Sequence, residues 1–139
     1  MAGRGAGGLA GRLGCQPGQI VHEFGYDDDV DDALRSAIEE AVGGELGDGE
    51  SSDEVADVAL LWWRDEDGDL VDALVDVLTN LAERGVVILL IPKTGRDGHV
   101  QASEVEEAAL TTGLHATTSL SAGADWIATR LVAPKGGRR

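Results

Sequence analysis

Residues 58–92 limit what this chain can fold into more than any other stretch. The runs Val58-Ala59-Leu60-Leu61-Trp62-Trp63 and Val86-Val87-Ile88-Leu89-Leu90-Ile91 contain no polar residue. A strand with one wet face alternates apolar and polar side chains, whereas an unbroken apolar run suits a parallel strand covered by helices on both faces. Between the runs, Leu70, Leu74, Val77, Leu78 and Leu81 recur at helical spacing, with Asp72, Asp76, Thr79 and Glu83 on the opposite side. The pattern predicts a βαβ unit whose helix includes Leu81 and Glu83. Gly85 is expected to turn left-handed just past the helix end.

The flanking segments extend this unit. Gln16-Pro17-Gly18 is turn chemistry, and residues 19–24 (Gln-Ile-Val-His-Glu-Phe) form a first strand that stops at Gly25. Val30, Ala33, Leu34, Ala37, Ile38 and Ala41 then make one helical stripe. Asp27, Asp28 and Asp29 stand before it, where carboxylates cap free amides and favour the positive end of the dipole. Residues 43–53 are rich in Gly, Asp, Glu and Ser, with Leu46 as the one anchor, and read as a flexible connection. Ser103 and Glu106 form a capping-box pattern for a helix through about Leu110, ended by Gly113. Residues 115–120 and 126–132 suit an antiparallel hairpin. The expected architecture is a small three-layer Rossmann-like α/β sandwich, with a mostly parallel sheet and a C-terminal antiparallel hairpin. The expected organisation is a disordered basic arm over residues 1–14, one α/β domain over residues 15–134 and a basic tail over residues 135–139.

Charge narrows the choice of partner. The formal net charge is −15, and five of the eleven basic residues (Arg4, Arg12, Lys135, Arg138, Arg139) lie near the ends of the sequence. A nucleic-acid surface must neutralise phosphates with clustered Lys and Arg, so nucleic acid is not an expected partner. A protein partner is expected instead, and a basic partner, a metal ion or simple solubility all suit the acidity. The single cysteine, Cys15, excludes an intramolecular disulfide and a multi-cysteine zinc site, which points to a reducing cytoplasm. No stretch reaches the ~20 apolar residues of a membrane-spanning helix, so no membrane association is expected.

In an open parallel sheet, ligands bind beyond the carboxyl ends of the strands. Three connections reach that edge. They hold Gly25, Tyr26, Asp27, Asp28 and Asp29; then Arg64, Asp65, Glu66 and Asp67; then Lys93, Thr94, Arg96, Asp97 and His99. From these, Gly25, Tyr26, Asp27, Asp28, Arg64, Asp65, Asp67, Lys93, Thr94, Arg96 and His99 are the candidate ligand-binding residues. Lys93 and Arg96 are expected to neutralise the acids of the other two loops as surface ion pairs. The acids also suit Mg²⁺ or Ca²⁺ chemistry, although Asp65-Glu66-Asp67-Gly68-Asp69 departs from the calcium-loop order. His22, His99 and His115 lack paired zinc-ligand spacing, and no nucleophile stands in an activated setting, so no catalytic residue and no cofactor are assigned. Trp62 and Trp63 are expected in the core on opposite faces of their strand. Trp126, at a hairpin start, is expected to be partly exposed and to offer an anchor.

Three segments carry a family resemblance: residues 13–25, from Leu-Gly-Cys-Gln-Pro-Gly to Glu-Phe-Gly; residues 61–74, containing Trp62-Trp63-Arg64-Asp65-Glu66-Asp67-Gly68-Asp69; and residues 92–100, Pro-Lys-Thr-Gly-Arg-Asp-Gly-His-Val. Over about residues 13–135 the chain resembles an actinobacterial family, domain-of-unknown-function family 3052, which implies no activity. More remotely, residues 17–25 are similar to the first strand and opening glycine of class I methyltransferases. The βαβ unit and hairpin are similar to the later half of that fold. This resemblance implies a scaffold that binds S-adenosylmethionine. Tyr26, Asp27 and Asp28 stand where that family continues with glycines, and residues 43–53 leave little room for the strand that presents an acid to the ribose. The expected function is a non-catalytic binding or regulatory module, the alternative a small-molecule or Mg-dependent enzyme or ligand binder using the same loops.

Overall fold

The computed structural model describes residues 4–133 of the chain. A six-stranded sheet runs in the order β2-β1-β3-β4-β6-β5. Its strands are β1 (Val21–Phe24), β2 (Gly47–Asp48), β3 (Ala56–Trp62), β4 (Leu81–Pro92), β5 (His115–Ala122) and β6 (Trp126–Val132). The first four strands pair in parallel, while β6 is antiparallel to both β4 and β5. Four helices cover the faces: α1 (Arg4–Arg12), α2 (Asp32–Val42), α3 (Leu70–Leu78) and α4 (Ala102–Thr111). This is the three-layer, mostly parallel α/β sandwich with a C-terminal hairpin that the apolar runs require.

Strand alternation divides the core into two halves. Val58, Leu60 and Trp62 of β3, with Val86, Ile88 and Leu90 of β4, pack with α1 and α2 on one face. On the other, Ala59, Leu61, Trp63, Val87, Leu89 and Ile91 meet α3 and α4. Trp62 and Trp63 are buried on opposite sides, as the period of two demands.

Four local expectations are corrected. The helix of the βαβ unit ends at Leu78, and β4 begins at Leu81. Asn80 pulls the chain out of the helix: its carbonyl accepts from the Ala56 amide at 2.9 Å, and its side-chain amide donates to the Ser52 carbonyl at 3.1 Å. Gly85 therefore lies within β4 and is not left-handed. Asp31, rather than Asp27 to Asp29, caps α2, accepting from the Leu34 amide at 2.9 Å. Ser103 sits inside α4 and forms no capping box; Gln101 holds the cap position without a side-chain bond. Gly113 does turn left-handed after that helix.

The expected disordered arm is helical from Arg4 to Arg12 and is tied to the core, with Ala10 and Leu13 fully buried beside α2 and Ala122. Average composition hid this, because a few apolar residues at helical spacing suffice once a face exists to receive them. Residues 1–3, and the basic tail at 135–139, lie outside the described residues.

The connection over residues 43–53 contains β2, paired in parallel with β1 through His22–Gly47 and Glu23–Asp48. From β2 on one side of β1 the chain crosses back to β3 on the other. β1 and β3 therefore flank the point where successive connections diverge, the usual place for a crevice. No helix accompanies this crossing. Gly49 runs so close to Phe24 that a Cβ there would stand 2.4 Å from the ring.

If α1 belongs to the core, Leu13→Ala should lower unfolding free energy by about 2–5 kcal/mol, as other buried leucine truncations do. Urea unfolding followed by circular dichroism checks this. A loss under about 0.5 kcal/mol, the range of ordinary surface substitutions, would show that the segment is an appendage.

Candidate functional site at the carboxyl edge of the sheet

Just beyond β3 lies Arg64, which is 8% exposed. Its Nη1 donates to the Gly25 carbonyl at 2.8 Å and to the Trp62 carbonyl at 3.3 Å. Nε and Nη2 grip the two carboxylate oxygens of Asp29. Asp67 accepts from the Arg64 amide at 3.0 Å, and its carboxylate is 3.4 Å from Nη1. The Trp126 ring lies 5.4 Å from the guanidinium carbon. A planar, five-donor group suits this many converging acceptors, as a lysine would not. Arg64 thus fills the crevice between the ends of β1 and β3. Gly25 permits that closeness: its φ is +76°, and a Cβ there would stand 2.3 Å from the Trp62 carbonyl oxygen.

A second ion pair lies behind the first. Glu23 of β1 accepts from Arg35 Nε at 2.7 Å, Arg35 Nη2 at 2.9 Å and Trp62 Nε1 at 2.8 Å. The Arg35 guanidinium sits 4.8 Å over the Tyr26 ring. Trp62 meets Trp126 edge to face at 4.9 Å, and Trp126 Nε1 donates to the Asp29 carbonyl at 3.1 Å. Two indoles therefore link the two ion pairs. Trp126 is buried, which corrects the expectation of a partly exposed anchor. Glu23 and Arg35 escaped the sequence reading, although a carboxylate in a strand buried on both faces signals a buried cation elsewhere.

The third loop divides. Lys93 and Arg96 turn away from the acids of the first two loops, contrary to expectation. Lys93 Nζ donates to the Gly123 carbonyl at 3.0 Å, and Arg96 pairs with Asp125 at 2.7 Å. Both fasten the β5–β6 turn, which the antiparallel pairing of Pro92 with Trp126 brings alongside. His99 Nδ1 bonds the Pro92 carbonyl at 2.8 Å, and Thr94 is exposed. The loop's far end returns to the site: Gly98 packs on the Arg64 side chain and its carbonyl accepts from the Asp65 amide at 2.9 Å.

Beside the filled crevice an open cleft of about 710 Å³ runs between α3 and the crossing segment after β2. Phe24, Leu61 and Val77 give it apolar surface, and its lining acids are Asp27, Glu50, Asp53, Asp67 and Asp76. Arg64 is its one lining cation and is already paired. Glu50 reaches the Gly25 amide at 3.4 Å, and Asp27 accepts from the Asp28 amide at 2.8 Å. Asp65 is exposed in the short 3-10 turn Asp65–Asp67. Gly25, Tyr26, Asp27, Arg64 and Asp67 thus line one cleft, while Lys93, Thr94, Arg96 and His99 do not. Among the described residues, no group of three or more His, Cys, Asp or Glu is placed to hold a metal ion, and no helix is long and apolar enough to cross a membrane. Burial pushes the Cys15 thiol up to about 11, so it stays protonated at neutral pH.

The family described as "Protein of unknown function (DUF3052)" matches residues 10–135. The chain belongs to that family. An uncharacterized protein of Mycobacterium tuberculosis is 55% identical over 130 residues, covering 94% of this chain and 81% of the relative. Among solved structures, the chain is similar to the mitomycin 7-O-methyltransferase MmcR, with a TM-score of 0.62 at 16% identity over 93% of this chain. It spans about half of that enzyme, 53%. A SAM-dependent methyltransferase from Aquifex aeolicus gives a TM-score of 0.60 at 11% identity, covering 93% of this chain and 89% of that one. At these identities the likeness establishes the Rossmann-like methyltransferase fold alone.

The hydrogen bond from Arg64, aided by its charge and opposed by partial burial, holds the Asp29 carboxyl below its usual range. Burial disfavours the Arg64 charge, but the bond to Asp29 and nearby carboxylates outweigh it, so the guanidinium stays charged. A carboxyl with a depressed folded pKa adds stability above its unfolded value of about 3.9, and that share is lost as pH falls through the folded value. Asp29→Asn should therefore destabilise at pH 6, and the difference from the unaltered protein should shrink below about pH 4. Arg64→Ala, which leaves several acceptors without a donor, should cost on the order of 3 kcal/mol. Urea unfolding at pH 6, 4 and 3 measures both; a pH-independent Asp29→Asn effect would refute the ionic assignment.

Proposed function

We propose that this protein is a non-catalytic binding module on a methyltransferase-like scaffold, and that its cleft receives a basic, partly apolar segment of a partner protein. The observation that carries this reading is the Arg64 guanidinium seated between the ends of β1 and β3. S-adenosylmethionine, which the fold neighbours suggest, does not fit the residues at that place. A glycine turn in that fold offers bare backbone amides to the cofactor carboxylate. Here the Gly25 amide faces the Glu50 carboxylate, and Asp27 and Asp28 add negative charge beside it. The Gly25 carbonyl is held by Arg64, so opening the crevice means uncoupling a buried guanidinium from its half-exposed carboxylate partner.

The open cleft has the opposite character. Its acids outnumber its one paired cation, and its apolar surface gives a ligand more than charge to bind. A segment alternating Arg or Lys with bulky apolar residues matches both features, with charge steering the encounter and apolar contact slowing release. A small-molecule reading has one observation in its favour, since about 710 Å³ lies within the range of small-ligand pockets.

The two readings separate in one set of measurements. A fluorescein-labelled peptide of alternating Arg and Leu should bind, weaken several-fold in the Glu50→Gln/Asp76→Asn double variant, and weaken further as salt rises from about 50 to 300 mM. S-adenosylmethionine, ATP and Mg²⁺ should leave the melting temperature unchanged. A ligand at a hundred times its dissociation constant stabilises by about 2.7 kcal/mol, a visible shift. Peptide binding indifferent to the double variant, or a melting shift with a small molecule and no peptide binding, would overturn the proposal.

A further inference from the structure

The two edges of the sheet are built differently. At one, β2 is two residues long and has Glu45, Asp48 and Glu50 in or beside it. Shortness and charge are the usual devices that stop an edge from pairing with another chain. At the other, β5 presents eight residues, His115–Ala122, without an Asp, Glu, Lys, Arg or Pro. Residues 108–124 form the longest stretch without Asp, Glu, Lys or Arg in a chain of net charge −15. Among the described residues nothing pairs with the outer side of β5, so alternate backbone amides and carbonyls face outward. The one irregularity is a register shift between Ala116 and Thr118, near one end, which leaves 118–122 regular.

We propose that the outer edge of β5 is the interface for a second copy of this chain, paired antiparallel about a two-fold axis near Ser119 and Leu120. Self-complementary backbone pairing selects this occupant, and the uncharged edge admits it. Two bodies of net charge −15 repel over most orientations, and this edge lets their backbones meet with no carboxylate from either β5 opposing the other. Antiparallel self-pairing is isologous, so each copy supplies to the other the donors and acceptors it receives, and the contact closes at two. The exposed side chains of Thr117, Ser119 and Ser121 are short and leave the edge accessible.

The flank adds little apolar area. Glu104, Glu107, Ala108 and Thr111 of α4 face a hollow shared with α3. At 100° per residue, Leu110 lies away from the α3 hollow and nearly opposite the buried Val105, Ala108 and Ala109, and is 70% exposed. Glu106 shares that side of the helix. One strand pair falls in the small, transient class of interfaces, so the dimer is concentration-dependent and strengthened by salt.

Sedimentation velocity on the full chain from about 5 to 500 μM tests this. The expected result is a monomer–dimer equilibrium that tightens between about 50 and 500 mM NaCl and weakens at least tenfold in Ser119→Lys/Ser121→Lys. That variant places like charges across the axis on exposed positions, and its circular dichroism melt should match the unaltered protein. Hydrogen exchange of β5 amides should slow with concentration, whereas β2 amides should not change. A monomer at every concentration, or a dimer indifferent to the lysines and unprotected at β5, would overturn the proposal. Should the lysine variant fail to fold, the concentration dependence of β5 protection in the unaltered chain decides.

Discussion

Covering a strand on both faces is the constraint from which the rest of this structure follows. β3 and β4 carry apolar side chains on both sides, so neither can be wet, and two helical layers must close over them. Parallel pairing then sends the carboxyl ends of β1, β3 and β4 to one edge. The loops of that edge hold Arg64 and the two carboxylates that meet it.

At that edge the crevice of the fold is occupied by the chain's own side chains. In a Rossmann-like sheet the gap at the topological switch point is ordinarily kept open by small residues. Here a cation enters it from the end of β3 and is met by a carboxylate from the loop after β1. Burying these charges is unfavourable unless each is paired and hydrogen-bonded, and both Arg64 and Glu23 meet that condition. The linking indoles make the network continuous from α2 to the β6 strand. Open space is left instead in the neighbouring cleft, where the chain crosses from β2 to β3 without a helix.

Much of this was legible in the residues. The apolar runs announced the parallel pair, Ser121-Ala-Gly-Ala-Asp125 announced a hairpin turn, and Gly25 and Arg64 stood among the candidate loop residues. What misled the reading was local pattern in competition with distant partners. Leu81 fits the helical stripe, yet the Asn80 carbonyl finds Ala56 and the chain is already a strand. Residues 4–12 look too glycine-rich to order, but Ala10 and Leu13 meet a waiting apolar surface. Lys93 and Arg96 have charges that suit the acids of neighbouring loops, but the hairpin turn lies within their reach and holds them.

The sequence by itself determined five of the six strands, the parallel sense of the central ones and the edge to which their loops lead, because burial periodicity is written in consecutive residues, while the two-residue β2 is too short to carry any. Tertiary structure alone decided which cation meets which carboxylate: Arg64 finds Asp29 thirty-five positions away, and Glu23 finds Arg35 and Trp62 on two other elements. Such pairings depend on distances across the sheet, set by the register of β1 against β3, and no local pattern of residue types encodes them.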